Sequence, residues 1–211
     1  MSHDDFAIEP VPGLPETLPK GELILWQGRP SVLGLACQAL KVHWVALYFA
    51  VLAVWRVGVS STELGFAAAL PLAIPFLAVG LVACAILLLI AFCQARATLY
   101  TITTARVAMR IGAALTLTLN LPFNRIAGAA LSVRKDGSGT IAIETAGEVR
   151  LSHMMLWPHV RPWHLKHTQP ALRAIPDAAR VARILADAAE TRISRPEVSR
   201  RVDTSGAVAA E

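Results

Sequence analysis

The feature that most restricts this chain is a run of thirty residues, Leu64 to Cys93, without one charged side chain. As a single helix it would be about 45 Å long, more than the roughly 30 Å hydrocarbon core of a bilayer, yet it is too short for two spans of about 17 residues and a turn. Pro71 and Pro75 resolve the mismatch by marking where the span begins, so it reads as 72–93 with residues 60–71 as a connection. A second candidate span, 42–59, carries one interior charge, Arg56, close enough to its end to snorkel, and Trp44, Tyr48 and Trp55 suit an interface. The two form a helical hairpin.

Charge is partitioned around that hairpin. Residues 1–41 hold three Lys/Arg and five Asp/Glu, 42–95 hold only Arg56 and Glu63, and 96–211 hold sixteen basic and nine acidic groups. With 55% hydrophobic and 17% charged residues overall, against about 25% charged in soluble chains, the composition excludes a purely soluble enzyme, a disordered chain and a disulfide scaffold. Cys84 and Cys93 would lie about 13 Å apart on one helix, out of bonding range, and no bridge to Cys37 is expected. The acidic, proline-bearing start (Asp4, Asp5, Glu9, Pro10, Pro12) lacks the basic segment and apolar core of a signal peptide. Arg29 and Lys41 precede the first span, none separates the two, and Arg96, Arg106 and Arg110 follow, which puts both ends in the cytoplasm. Ala46, Ala50 and Ala53 share one helix face, and Ala73, Gly80, Cys84 and Ala91 fall within about 40° on the other helix, giving a small-residue seam.

Outside the hairpin the period changes. Residues 1–30 read as a proline-rich arm ending in a short strand at 21–30, after which Ser31 can cap a helix. Beyond Ala95, alternation of period two predicts antiparallel strands at 97–103, 106–111, 115–121, 129–135, 140–145 and 148–152, with turns at 136–139 and 146–147. Residues 153–170, with three prolines and no period, form an arm. Val181, Ile184, Leu185 and Ala188 mark an amphipathic helix over 177–189, and 191–211 reads as a basic flexible tail. The expected architecture is α+β: a two-helix transmembrane hairpin over 31–95, then an antiparallel barrel or sandwich at 96–190 capped by a C-terminal helix.

Gly-Glu-Leu-Ile-Leu-Trp-Gln-Gly-Arg-Pro at 21–30, the hairpin, Leu-Tyr-Thr-Ile-Thr-Thr-Ala-Arg-Val at 99–107 and the Gly-x-Gly-Thr-Ile turn resemble the bacterial membrane-anchored pleckstrin-homology-like proteins. More narrowly, Glu-Pro-Val-Pro-Gly-Leu-Pro-Glu at 9–16, Arg-Pro-Trp-His-Leu at 161–165 and Leu-Arg-Ala-Ile-Pro-Asp at 172–177 resemble the photosynthetic complex assembly proteins of purple bacteria, the PuhB type. The resemblance implies a pleckstrin-homology-like domain, an inner-membrane location and a part in assembling the reaction centre and core antenna.

Residues that could carry chemistry are few. No Gly-x-Ser-x-Gly, His-Glu-x-x-His or Cys-x-x-Cys occurs. Gly137-Ser138-Gly139 precedes a strand where a dinucleotide site needs a helix, so it reads as a hairpin turn. His153, His159, His164 and His167 fit no closed zinc spacing, and no metal is expected. Trp157, Arg161, Trp163 and His164 are candidates for partner binding, because Trp and Arg concentrate binding energy; packing of both tryptophans on the domain is the competing reading. His43, four residues after Ala39, is a candidate bacteriochlorophyll ligand, with an interfacial anchor as the plainer reading; no other cofactor is expected. Arg106 and Arg110 share the outward face of a strand and are candidates for anionic lipid contact, while nucleic acid would need a clustered stripe that is lacking. The chain therefore reads as a non-enzymatic assembly factor that binds reaction-centre and core-antenna subunits or other assembly factors, and could self-associate. The alternative is a lipid-sensing membrane adaptor.

Overall fold

The computed structural model describes residues 11, 13–14, 16–113, 116–147, 151–165 and 167–194. The first ten residues of the expected arm, the core of the expected strand at 148–152 and the tail beyond 194 lie outside them. Leu151 and Ser152 are described and are not in a strand.

Two antiparallel sheets and a helix enclose the core. The first sheet runs in the order β1 (Ile24–Gly28), β2 (Leu99–Thr103), β3 (Arg106–Ile111) and β4 (Leu117–Pro122). At Pro122 the chain leaves that sheet through a 3-10 turn, Phe123–Arg125, and starts the second, β5 (Ile126–Val133), β6 (Gly139–Thr145) and β7 (Ala171–Ile175). Among the described residues no hydrogen-bonded ladder joins β4 to β5, and the two sheets pack as a sandwich and not as a closed barrel. Tyr100, Ile102, Val107, Met109 and Ile111 from the first sheet meet Ile141, Ile143, Leu172 and Ile175 from the second. The helix α6 (Ala178–Ile193) closes the open side with Val181, Leu185 and Ala188 buried and Arg180, Arg183 and Asp187 exposed, as its period required.

The apolar segment lies inside this sandwich's chain order, between β1 and β2. A short helix α1 (Val32–Gln38), capped by the Ser31 side chain accepting from Gly34 N–H, packs on β7. Two long elements follow: α2 (Val42–Leu64), and a stretch made of α3 (Phe66–Ala69), a 3-10 turn at Leu70–Ala73 and α4 (Ile74–Ala97). Both are long and apolar enough to cross a membrane. The reversal falls at Gly65, whose positive φ of +80° glycine adopts without the clash a side chain would bring. Pro71 lies in the 3-10 turn and Pro75 in the first turn of α4, where a missing N–H leaves no helical bond unmade.

The seam of the hairpin differs from the expected one on its first helix. Gly80 is buried, and a Cβ added to it would come within 2.7 Å of the Phe49 Cβ. Phe49 therefore takes the groove that Gly80 leaves, and Ala53, Val57 and Ser60 continue the same face. That rotates Ala46 and Ala50 outward, where both are exposed. On α4 the expected residues do face the seam: Gly80 and Ala91 are buried, and the Cys84 Sγ reaches within 4.0 Å of the Val42 carbonyl.

Two other departures concern boundaries. The strand expected at 21–30 as part of an arm is hydrogen-bonded along β2, with Gly28 opposite Tyr100 and Ile24 opposite Thr103. The segment 171–175, read only as part of a family motif, is the buried strand β7; apolar on both faces except for Arg173, it shows no alternation to detect.

Candidate partner-binding surface

The expected arm is built on a small ladder. Arg161 N–H donates to the Gln169 carbonyl (3.0 Å), Ala171 N–H to the His159 carbonyl (2.9 Å) and Ile143 N–H to the Pro170 carbonyl (2.8 Å). These bonds extend β7 backwards and leave 162–168 as the tip. A single helical turn, α5 (His153–Leu156), leads in, with Leu156 buried as its anchor.

Beneath the arm, His159 is fully buried and forms the hub of a polar chain. The Tyr100 hydroxyl lies 2.6 Å from its Nδ1 and the Thr98 Oγ1 3.0 Å from its Nε2. The same Tyr100 oxygen accepts from Arg173 N–H at 3.3 Å. A hydroxyl that already accepts is best used as a donor toward Nδ1, which leaves the imidazole proton on Nε2, donated to Thr98. Burial, and then the Arg173 charge, hold the His159 pKa down at about 3. Burial likewise pushes the Tyr100 phenol well above its ordinary value. The hub is thus neutral at physiological pH. Thr98 is the first residue past α4, so the arm is seated where the hairpin meets the sandwich.

Sequence reasoning placed His159 in a group of four and missed this role. The available signal was its flanks: Pro158 and Val160 are apolar and buried, whereas His164 and His167 stand among polar or exposed neighbours. Among the described residues no cluster of His, Cys, Asp or Glu is arranged to hold a metal.

The expected binding residues fall on one segment with different exposures. Trp163 is 94% exposed and adopts a positive φ of 66°; Trp157 is 46% exposed. Packing on the sandwich does not account for Trp163. Arg161 is partly buried and its Nη1 donates to the Gln169 Oε1 at 3.0 Å, so it braces the arm's base. The His164 ring sits 2.9 Å from the Pro162 carbonyl and shapes the tip. Met154, Met155 and Leu165 are exposed on the same segment. Five large apolar side chains within twelve residues are an unusual display for a surface loop.

The other candidates are revised. Arg106 Nε makes an ion pair of 2.9 Å with the Glu22 Oε1, which also accepts from the Thr103 hydroxyl at 2.6 Å. It lies at the end of β3 far from the hairpin, whereas Arg110 pairs opposite Leu99, next to α4. Four residues of strand separate them by roughly 13 Å, so Arg106 has an acidic partner and lies farther from α4 than Arg110 does. His43 is exposed on the first turn of α2, stacked obliquely on Trp44 at 5.8 Å. Ala39 belongs to the end of α1, and Lys41, with a positive φ of 56°, breaks the chain between them. The helical Ala-x-x-x-His arrangement that a pigment site needs does not form.

A two-sheet sandwich capped by one helix, with an apolar hairpin between its first two strands, defines the class, and the comparisons agree. The chain belongs to the bacterial PH domain family, whose model matches residues 49–189. It is 46% identical over 200 residues, 94% of each chain, to a Rhodobacter capsulatus protein described as an uncharacterized 23.7 kDa protein in the puhA 5′ region. No solved structure matches.

Proposed function

We propose that this protein is a non-enzymatic, membrane-anchored assembly factor for the photosynthetic reaction centre and core antenna of a purple bacterium, with both ends in the cytoplasm. The observation that carries the reading is the arm: Trp163 stands clear of the fold on a segment that a hydrogen-bonded ladder and a buried histidine hold in place. Such an anchor loses little conformational entropy on docking. The pairing of Gly28 with Tyr100 supports a hairpin whose two ends emerge on one side. The relative in the puhA 5′ region and the family motifs at 161–165 and 172–177 support the photosynthetic setting. The client surface would be one close to the bilayer, because the arm sits on Thr98 and Tyr100.

The test is co-purification from photosynthetically grown membranes. A Trp163→Ala, Met155→Ala double variant removes exposed side chains only, so it should unfold at the parent's temperature while recovery of reaction-centre subunits falls about tenfold or more, equivalent to at least ~1.4 kcal/mol. Undiminished recovery would remove the arm from the mechanism.

A further inference from the structure

Beside the arm's base lies a cavity of about 360 Å³, bordered by Gln38 and Lys41 at the junction of α1 and α2, by Arg134 and Thr140 on the β5–β6 hairpin, and by Arg161 and Arg173. Four of these six are cationic, and among the described residues no carboxylate lines the cavity. Arg173 is only 7% exposed. Its two terminal nitrogens donate to the Pro158 carbonyl (3.2 Å) and the Gln38 carbonyl (2.9 Å), which are neutral, and among the described residues its Nε has no hydrogen-bond partner. Gln38 is 6% exposed and its Nε2 is also without a partner among the described residues, while its Oε1 accepts from Thr140. Burial, and the nearby Arg134 charge, draw the Arg173 guanidinium below its ordinary value.

A buried cation that meets only neutral acceptors, with two buried donors unused, is costly unless something completes it. What remains unused at this site are donors and positive charge. The complementary group is a compact anion with several acceptor oxygens, and phosphate fits the planar donors of arginine best. The location narrows the source. Lys41 immediately precedes α2, so on the reading of α2 and α4 as membrane spans the cavity opens at the bilayer surface, where the abundant phosphates are lipid headgroups.

We infer that this cavity binds the phosphate of an anionic phospholipid, with Arg173 and Gln38 at its base and Lys41, Arg134 and Arg161 around its mouth. The site is distinct from Arg106 and from the exposed Trp163 at the arm's tip, and it shares Arg161 with the arm's base. It selects against zwitterionic choline lipids, because four cations repel the trimethylammonium group.

The experiment uses the full chain purified in a neutral detergent. Dioctanoyl phosphatidylglycerol, dioctanoyl phosphatidylcholine or inorganic phosphate is added at matched concentrations and thermal unfolding is followed. Phosphatidylglycerol alone should raise the midpoint saturably. A Lys41→Gln, Arg134→Gln double variant, altered only at exposed side chains, should unfold at the parent's temperature without lipid and bind phosphatidylglycerol at least tenfold more weakly. Equal effects of the two lipids, or unchanged binding by the double variant, would overturn the inference. An equal shift from inorganic phosphate would reassign the cavity to a free anion and overturn the lipid assignment. Alkaline carbonate extraction of native membranes separates the two ideas: release of the protein defeats the membrane reading, while retention without a phosphatidylglycerol effect defeats the cavity alone.

Discussion

Acidification should loosen the junction between hairpin and sandwich through one residue, His159. In the unfolded chain this imidazole binds a proton near pH 6.5, whereas in the fold it stays neutral until about pH 3. Between those values the unfolded state holds a proton that the native state lacks, so stability is complete above pH 6.5 and is lost as pH falls through the window. The loss is about 1.4 kcal/mol per pH unit, or on the order of 2 to 3 kcal/mol by pH 4.5. That is a large part of a typical 5 to 15 kcal/mol. Unfolding of the detergent-solubilised protein, followed by tryptophan fluorescence from pH 7.5 to 4.5, reads the slope directly. His159→Leu is the control: it should start lower by about 1 to 3 kcal/mol, because Tyr100 and Thr98 lose their partner. Its slope in the window should be shallower by nearly the whole histidine contribution. Parallel slopes in parent and variant would refute the reasoning, since every other titrating group is common to both.

Two further outcomes test the architecture. Gly80→Leu should destabilise the hairpin by about 1 to 3 kcal/mol through overpacking against Phe49, while Ala46→Leu, on the exposed face, should change thermal stability by less than about 0.5 kcal/mol. Residues 96–194 expressed alone should fail to fold, because β2 would lose β1 and β7 would lose α1; joining 20–38 to 98–194 through a flexible linker should restore a soluble, cooperatively unfolding domain.

Elements whose pattern is set by one buried face were legible in the sequence. The stripe on α6 repeats because water lies on its other side, and the alternation of Arg106–Ile111 sends Val107, Met109 and Ile111 into the core while Arg106 and Arg110 stay partly exposed on the opposite face; Pro71 and Pro75 lie in the 3-10 turn and the first turn of α4. Three things were not legible. The hairpin seam depends on which of several small residues meets a large one, and Phe49 filling the space at Gly80 is a pairing that no single-helix projection contains. β7 is covered on both faces and shows no period. The polar hub joins Thr98, Tyr100, His159 and Arg173 from three distant stretches of chain, so each looked ordinary alone. Of the site candidates, the arm residues were chosen by residue type alone, and the structure places Trp163 in solvent and Arg161 against Gln169. The pairing of Arg106 with Glu22 joins residues 84 apart and cannot be read from alternation.

The position of the hairpin within the sheet bears on how such a protein could work. The chain leaves the sheet at Gly28 and returns in the neighbouring strand, with Tyr100 opposite Gly28, so both long helices must emerge side by side from one edge of the sandwich. Thr98 and Tyr100, the first residues after α4, hold His159, and Arg173 ties the end of α1 to Pro158 in the arm. Hairpin, sandwich and arm are therefore linked through buried polar bonds and not through a flexible tether. On the assembly-factor reading, Trp163 is presented at a fixed height above the membrane. A client helix bundle already confined to the same bilayer then needs only lateral diffusion to meet it, which raises the effective concentration without a strong intrinsic affinity. On that reading a weak, reversible contact would suffice, and it would suit release of the finished complex. Replacing residues 38–41 with a long Gly/Ser segment should abolish the assembly function while leaving Trp163 and the membrane anchor intact.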